Sequence, residues 1–519
     1  MPTEGGDPVR TSPSTGQGRP KRVLVLGGGT AGWMAAAVLA KGLGPLVAIT
    51  LVESSAIGTV GVGEATIPQI RHLNRFLGIE EAQLLAASAG TIKLGIRFIG
   101  WTRPADSYIH AFSDIGVTLG QVGFHHYWLR ARAAAAGEAG SFWDYSPNAL
   151  AAATGRFLPR EEPPAPGLAG LRWAYHFDAG LYARLLRRVA EAAGVAHVEG
   201  LMRRVERDPQ DGRVCALVLE DGRRIEADLF IDCSGFRSLL LGETLDVPFV
   251  DWSHWLPCDA AWAVGSRESG PLPPYTQAHA HAAGWRWRIP LRHRIGNGLV
   301  FCSAEMGEEE ARSALLAALD GEPLGEPRLI RFRAGRRARV WEANVIALGL
   351  AAGFLEPLES TSIHLIQSGL QRLLEMWPRG LDDAALRTEY NRRTAAEWEA
   401  IRDFLILHYH CNDRKEPFWR RLAGMALPDG LAARIALFAE AARVYPDPLE
   451  LFTEIAWLQV LLGQGVMPRT WHPAADLVPI ERLLAYLEQL RAQLRQVVER
   501  MPGHEEALDR IMGTPASAG

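Results

Sequence analysis

Lysine is almost missing from this chain. Of 55 basic residues only Lys21, Lys41, Lys93 and Lys415 are lysine; the rest are arginine. Other scarcities exclude whole classes of protein. No uninterrupted run of about 18 apolar residues occurs, so no transmembrane helix is expected. Cysteine is limited to five scattered positions, Cys215, Cys233, Cys258, Cys302 and Cys411. An odd, scattered set argues against a disulfide framework and for a reduced cytoplasm. A net charge of −4 offers no basic field to nucleic acid or to an anionic membrane. Residues 1–20 are rich in Pro, Gly, Ser and Thr without an apolar stretch, which predicts a disordered tail and no signal peptide.

Against that background two features stand out. Sixteen tryptophans are many for 519 residues and suggest aromatic-walled pockets, although large cores use tryptophan too. And one of the four lysines, Lys93, lies in the apolar run Thr91-Ile-Lys-Leu-Gly-Ile-Arg-Phe-Ile-Gly-Trp101. Where arginine has replaced nearly every exposed cation, a half-buried lysine suggests an amine of tunable pKa or a nucleophile. The plainer reading is a strand-edge residue with its head in solvent.

The run Arg22-Val-Leu-Val-Leu26 predicts a buried strand, followed by Gly27-Gly-Gly-Thr-Ala-Gly32 and a helix over 33–40. Gly27, Gly29 and Gly32 make G-x-G-x-x-G in a strand–turn–helix setting. The first glycine permits the tight turn, the second lets backbone approach a pyrophosphate, and the third lets helix and strand pack closely. Free amides at the helix start then face the phosphates. A second strand, Val47 to Val52, ends at Glu53, placed to take ribose hydroxyls. The unit predicts dinucleotide binding.

Two later segments favour FAD over NAD. Arg224 to Cys233 reads as a strand running into Ser234-Gly235, and Asn344 to Gly353 as a strand and turn entering a helix over 362–378. Distant segments returning to one site resemble flavoprotein hydroxylases. The expected fold is α/β (α+β): a Rossmann-like FAD-binding domain over 21–380, with a sheet over about 240–340 covering the site. A C-terminal helical region over 381–519, where apolar residues recur every three or four positions, packs on the substrate pocket. No internal repeat is present.

Four phrases carry a more specific resemblance: Gly27-Gly-Gly-Thr-Ala-Gly-Trp33, Gly61-Val-Gly-Glu-Ala-Thr-Ile-Pro68, Trp285-Arg-Trp-Arg-Ile-Pro290 and Phe354-Leu-Glu-Pro-Leu-Glu-Ser-Thr-Ser-Ile363. Asp403 to Trp419, with His408-Tyr-His410, is a fifth. In this order they resemble the flavin-dependent tryptophan halogenases, from about residue 21 to 500. Trp-x-Trp-x-Ile-Pro discriminates best, because ordinary flavin hydroxylases lack it.

The resemblance implies an enzyme that uses reduced FAD from a separate flavin reductase, oxygen, and chloride or bromide to make hypohalous acid. That acid passes down a tunnel to a lysine beside a small aromatic substrate of the indole or tryptophan type. Lys93 matches the lysine, as a covalent haloamine or as a hydrogen-bond donor; only the first route needs a neutral amine. Glu359 matches the glutamate that stabilises the cationic arene intermediate and takes its proton. A plainer role for Glu359, as for Glu356, is to cap the helix beginning near Ser362. The family's halide-binding amides fall on Thr361 and Ser362. Serine departs from the usual glycine there and resists a positive φ, which leaves the halide geometry and the preferred halide open.

For the cofactor the resemblance implies Gly27, Gly29, Thr30, Ala31, Gly32, Glu53, Glu64, Ala65, Met202, Leu350 and Ile363. For the tunnel it implies Trp285, Trp287, Ile289, Pro290 and Ser360. His110 and Phe112 fall where the family sandwiches an indole, and Glu454 and Trp457 in the region that anchors substrate. The pairs His125-His126, His279/His281 and His408/His410 lack carboxylate or cysteine partners, so no metal site is expected. A homodimer is the family-based expectation for assembly. Two rivals remain: a flavin monooxygenase hydroxylating an aromatic substrate, against which Trp285–Pro290 and Lys93 argue, and a non-catalytic flavin-binding sensor or structural protein, which needs neither Lys93 nor Glu359.

Overall fold

A computed structural model describes residues 21–57, 63–165, 167–268, 270–380 and 383–513. The tail over 1–20 and the motif residues Gly61 and Val62 lie outside the described residues.

The apolar run at the front forms the strand Lys21–Leu26, and the glycine turn leads into the helix Thr30–Leu43. That helix buries nine consecutive residues from Gly32 to Ala40, more than one face, because it is covered by the helices Ala179–Ala192 and Ser362–Glu375 as well as by the sheet. The sheet has six strands in the order Trp341–Glu342, Val345–Ala347, Leu229–Asp232, Lys21–Leu26, Val47–Glu53 and Ala196–Glu199. All neighbours are parallel except the first pair. Its central strands Lys21–Leu26, Leu229–Asp232 and Val345–Ala347 are largely apolar, as burial on both faces requires.

The segment expected as one strand over 224–233 is two. Arg224–Glu226 belongs to a separate three-stranded antiparallel sheet with Val214–Leu219 and Met202–Arg207, and only Leu229–Asp232 enters the parallel sheet. Gly222, at φ +87, closes the hairpin between strands Val214–Leu219 and Arg224–Glu226. The helix expected over 362–378 ends at Glu375, two residues before Trp377-Pro378, where the residue preceding a proline leaves the helical region.

Residues between 240 and 340 supply five strands of a seven-stranded sheet. Its order is Arg328–Arg331, Ala260–Ser266, Ile295–Phe301, Gly284–Pro290, Thr276–His281, Gly95–Ile99 and Ser107–Ala111. The last two come from the front of the chain, and that places the run around Lys93 beside the Trp-x-Trp strand. A three-stranded sheet of Gly63–Ala65, Ala174–Asp178 and Thr91–Lys93 lies against it. Two glycines allow the contact: a Cβ on Gly296 would stand 3.2 Å from the backbone of Gly63.

Beyond Phe354 the described residues form helices and turns only, including Ala384–His410, Pro417–Ala423, Asp429–Ala441, Glu454–Gly463, Ile480–Glu499 and His504–Met512. Ile480–Glu499 packs on the helix Phe124–Ala134 from the front half, so the helical part does not stand apart. No helix among the described residues is long and apolar enough to cross a membrane.

Candidate active site

The glycine turn has the shape its spacing predicts. Gly27 sits at φ +117, and a Cβ there would come within 2.3 Å of the Cys233 carbonyl oxygen. A Cβ on Gly32 would lie 1.8 Å from the carbonyl oxygen of Gly27. Gly29 differs: nothing lies within 4 Å of its would-be Cβ, and as N-cap it carries no side chain to occupy the helix's free amides. This open cradle fits a pyrophosphate. Glu53 closes the neighbouring strand, its carboxylate over Gly28, 3.0 Å from His197 Nε2 and 3.3 Å from Arg187. Thr30 and Ala31 open the helix, and Gly349 packs on Ala31, which brings Leu350 to the same turn. Glu64 and Ala65 are in the strand under the large sheet, where burial pushes the Glu64 carboxyl up to about 7. Met202 opens the separate antiparallel sheet, and Ile363 is buried in the first turn of the helix Ser362–Glu375.

Lys93 is fully buried. Its ammonium nitrogen donates to Ser360 Oγ at 2.7 Å and lies 5.3 Å from the centroid of Phe112. Burial lowers the pKa of Lys93 to about 7, although Glu359 pulls the other way. Ser360 is a non-glycine residue in the left-handed region, φ +59, a conformation costing about 1 kcal/mol.

The strand bearing Lys93 is clamped. Thr91 Oγ1 donates to the carbonyl of Pro290, the last residue of the Trp-x-Trp motif, at 2.7 Å. That hydroxyl has one proton, so His176 Nδ1, 2.9 Å away, must donate to it, and His176 Nε2 accepts from Thr276 at 2.9 Å. On the far side the Ile92 amide donates to His504 Nε2 at 3.2 Å.

Glu359 is also buried, and it does not cap the helix Ser362–Glu375, whose N-cap Thr361 has no side-chain capping bond. Its Oε2 accepts from His110 Nδ1 at 2.8 Å, and its Oε1 lies 2.9 Å from His408 Nε2, off the line of a straight hydrogen bond. Burial alone would raise this carboxyl; the two imidazoles, His110 foremost, outweigh burial and hold it at about 2. Glu356 shows the opposite balance. Its Oε2 accepts from Trp285 Nε1 at 2.8 Å and Tyr409 Oη at 2.5 Å, both neutral donors, and burial pushes it up to about 7. Two carboxyls three residues apart are thus shifted in opposite directions because one faces imidazoles and the other an indole and a phenol.

Thr361 Oγ1 is buried without a protein partner at the start of this 14-residue helix, which fits an anion held by the helix amides. Ser362 has no positive φ, so serine costs nothing in backbone strain at that position. Trp287 lies flat on the facing strand, where a Cβ on Gly298 would overlap its ring at 2.0 Å. Trp285 is tilted against Trp287 at 6.1 Å and against Trp101 at 6.3 Å, and Ile289 and Pro290 are buried further along the strand.

The structure brings Lys93, Phe112, His110, Ser360 and Glu359 together. It does not bring Glu454 to them: this residue is exposed at the start of the helix Glu454–Gly463 and makes no contact with the others. Trp457 is buried behind Phe404, at 4.8 Å edge to face, and under the Arg434 guanidinium at 4.3 Å. Phe404 in turn lies 5.7 Å from His110 and stacks on Phe452 at 3.8 Å. The sequence reading missed Phe404, Phe452, Tyr409 and the roles of His176 and His408. His408-Tyr409 was visible as a motif, but its two side chains reach two different glutamates, which spacing does not reveal. Of the histidine pairs, His125 bonds the Ala442 carbonyl and His279 bonds Gln277, whereas His408 faces Glu359. No metal-binding cluster occurs among the described residues.

The chain is also similar to known proteins. The tryptophan halogenase family model matches residues 22–480. The chain is similar to a flavin-dependent halogenase from Xanthomonas campestris, with 49% identity, TM-score 0.92, and coverage of 96% of this chain and 99% of that one. It is similar to the flavin-dependent halogenase BrvH from Brevundimonas sp. BAL3, with 44% identity, TM-score 0.91, and coverage of 96% and 100%. Among curated relatives, tryptophan 6-halogenase SttH of Streptomyces toxytricini is 35% identical over 94% of this chain and 97% of its own length.

Proposed function

We propose, for a chain that belongs to the tryptophan halogenase family and is a flavin-dependent halogenase, that Lys93 delivers halogen to an electron-rich arene of the indole or tryptophan class and that Glu359 receives the displaced proton. The cofactor is FAD, used reduced and supplied by a flavin reductase; halide is the other small ligand. Gly27, Gly29, Gly32 and the first turn of helix Thr30–Leu43 would hold its pyrophosphate, with Glu53 toward the ribose. When bound, the reduced flavin supplies, with oxygen, the two-electron oxidation that turns halide into hypohalous acid.

The rest is chemistry of this chain's side chains. The observation that carries the reading is a fully buried amine of pKa about 7 within one cluster with an ionised carboxylate. Near neutral pH roughly half of such an amine is unprotonated. Neutral Lys93 attacks the halogen of hypohalous acid; an N–X bond forms, the O–X bond breaks, and water leaves with the amine proton. The arene then takes the halogen from nitrogen as the N–X bond breaks, the ring proton passes to Glu359 and from there to the lysine nitrogen, and the neutral amine and the carboxylate are restored; the two steps sum to hypohalous acid plus arene giving haloarene plus water. A carboxylate held at about 2 is a weak base, but an arenium ion is acidic enough to need no stronger one. Its more demanding task is to stay ionised beside the developing cation. His110 touches Glu359, Phe112 lies beside Lys93 and Phe404 lies against His110, and we assign the arene to that wall. Trp285 and Trp287 form the opposite side, their strand tied to the Lys93 strand by the Thr91–Pro290 bond.

The test supplies purified protein with FAD, a flavin reductase, NADH, oxygen, bromide or chloride, and either indole or tryptophan. Mass spectrometry should find the halogen isotope pair on the arene. Oxygen insertion without halogen, or no product across a broad arene panel, would sink the reading.

A further inference from the structure

His408 sits in the last turn of the long helix Ala384–His410, fully buried, with Phe98 at 4.7 Å and Phe404 at 5.3 Å from its ring. Its two nitrogens have different neighbours. Nδ1 lies 2.8 Å from the Phe404 carbonyl oxygen, four residues back on the same helix. A carbonyl only accepts, so Nδ1 carries a proton. Nε2 lies 2.9 Å from Glu359 Oε1, and neither atom has another protein partner. Were the ring neutral, an unprotonated Nε2 would stand 2.9 Å from a carboxylate oxygen inside an apolar shell, leaving two buried acceptors in contact and unsatisfied. A second ring proton removes the conflict.

We infer that His408 is a positioning residue for Glu359, protonated on both ring nitrogens and paired with the carboxylate as a buried ion pair. This rests on the reading of Glu359 as the group that receives the arene proton. His110 completes the arrangement as a donor to the other oxygen at 2.8 Å. The groups facing Glu359 are few: Tyr108 and His110 from the strand Ser107–Ala111, His408 from the long helix, and Lys93 from its own strand. The helix Glu454–Gly463, packed on the strand Ser107–Ala111, presents neutral Gln459, which is occupied by the Ala111 backbone. When Lys93 is neutral, as transfer requires, His408 is the cation left to keep the carboxylate ionised. The low pKa of Glu359 agrees with this, since burial by itself would raise it.

The experiment compares His408→Gln, Glu359→Gln and wild type, all FAD-loaded, in bromination of indole from pH 5 to 8. Glutamine in place of the imidazole keeps an N–H donor and loses the charge. Dividing each variant's rate by wild type at the same pH cancels the Lys93 titration. The His408→Gln ratio should fall about tenfold from pH 8 to pH 5, as its carboxyl takes up a proton. The Glu359→Gln ratio should be low and flat. A flat His408→Gln ratio overturns the inference but leaves Glu359 as the proton acceptor; near-wild-type activity of Glu359→Gln overturns that reading itself. As a check independent of any variant's folding, nitrogen NMR of 15N-histidine wild type should show one histidine with both ring nitrogens protonated at pH 8. Its absence also overturns the inference.

Discussion

Two turns in this molecule lead into helices of 14 residues, Thr30–Leu43 and Ser362–Glu375, which pack against each other. They work by opposite means. The turn at Gly27–Gly32 functions through missing side chains: two glycines admit close backbone and the third leaves open space. The turn at Glu356–Ser362 functions through side chains that are all engaged or buried. Glu356 meets Trp285 and Tyr409, Glu359 meets His110 and His408, and Ser360 meets Lys93. The first can be written in six consecutive letters. The second needs partners up to 267 positions away. A cofactor cradle is therefore local in sequence, and a reaction chamber is not.

The sharpest way to separate the two turns is Lys93→Ala. Halogenated product should vanish while NADH-driven flavin reoxidation, which depends on the glycine turn, continues; near-normal product yield would remove Lys93 from the mechanism. Next comes Lys93→Met, read by thermal melts. The pKa of Lys93 falls from 10.5 to about 7 on folding, a penalty of roughly 5 kcal/mol when both states are protonated. The penalty is therefore full below pH 7 and fades as pH rises toward 10.5. Lys93→Met should stabilise the protein by about that much at pH 6 and progressively less toward pH 10. An unchanged melting temperature at pH 6 would show that the amine is not desolvated.

Glu359→Gln should slow halogenation about 100-fold, with flavin turnover intact, as expected for loss of a proton acceptor. In the other turn, Gly27→Ala should cost about 2 kcal/mol or more and weaken FAD retention, because its Cβ has no room beside Cys233. The retained FAD after gel filtration reports it. The smallest effect is on pH. In wild type the halogen-transfer rate should rise through about pH 7 and level off above it, as Lys93 loses its proton; a fall across the same range would assign the ammonium as a hydrogen-bond donor to hypohalous acid.

How far the sequence could be read follows the same division. The nucleotide unit is set by apolar runs and glycines within about thirty residues, and its strand and helix lie where the pattern puts them. The break between Arg224–Glu226 and Leu229–Asp232 was invisible because Ala227-Asp228 preserves the look of one strand, while Asp228 ties back to Arg22. At the site, Lys93 stood out by scarcity and Glu359 by its motif, but the cap reading for Glu359 failed because two imidazoles outcompete distant helix amides. Phe404 and Phe452 sit in ordinary helical and loop sequence, and nothing in their spacing separates a pocket wall from a core.

The hydrogen bond from Thr91 to Pro290 has a further consequence. It couples the Lys93 strand to the Trp-x-Trp strand, which the proposed function places along the path of the oxidant, whereas Phe404, Phe452 and Trp457 belong to the helical part. Under the proposed function, changes at those three positions would alter which ring carbon is presented while leaving the path of the halogen as it is. Diversity of acceptors can then arise on one unaltered delivery route.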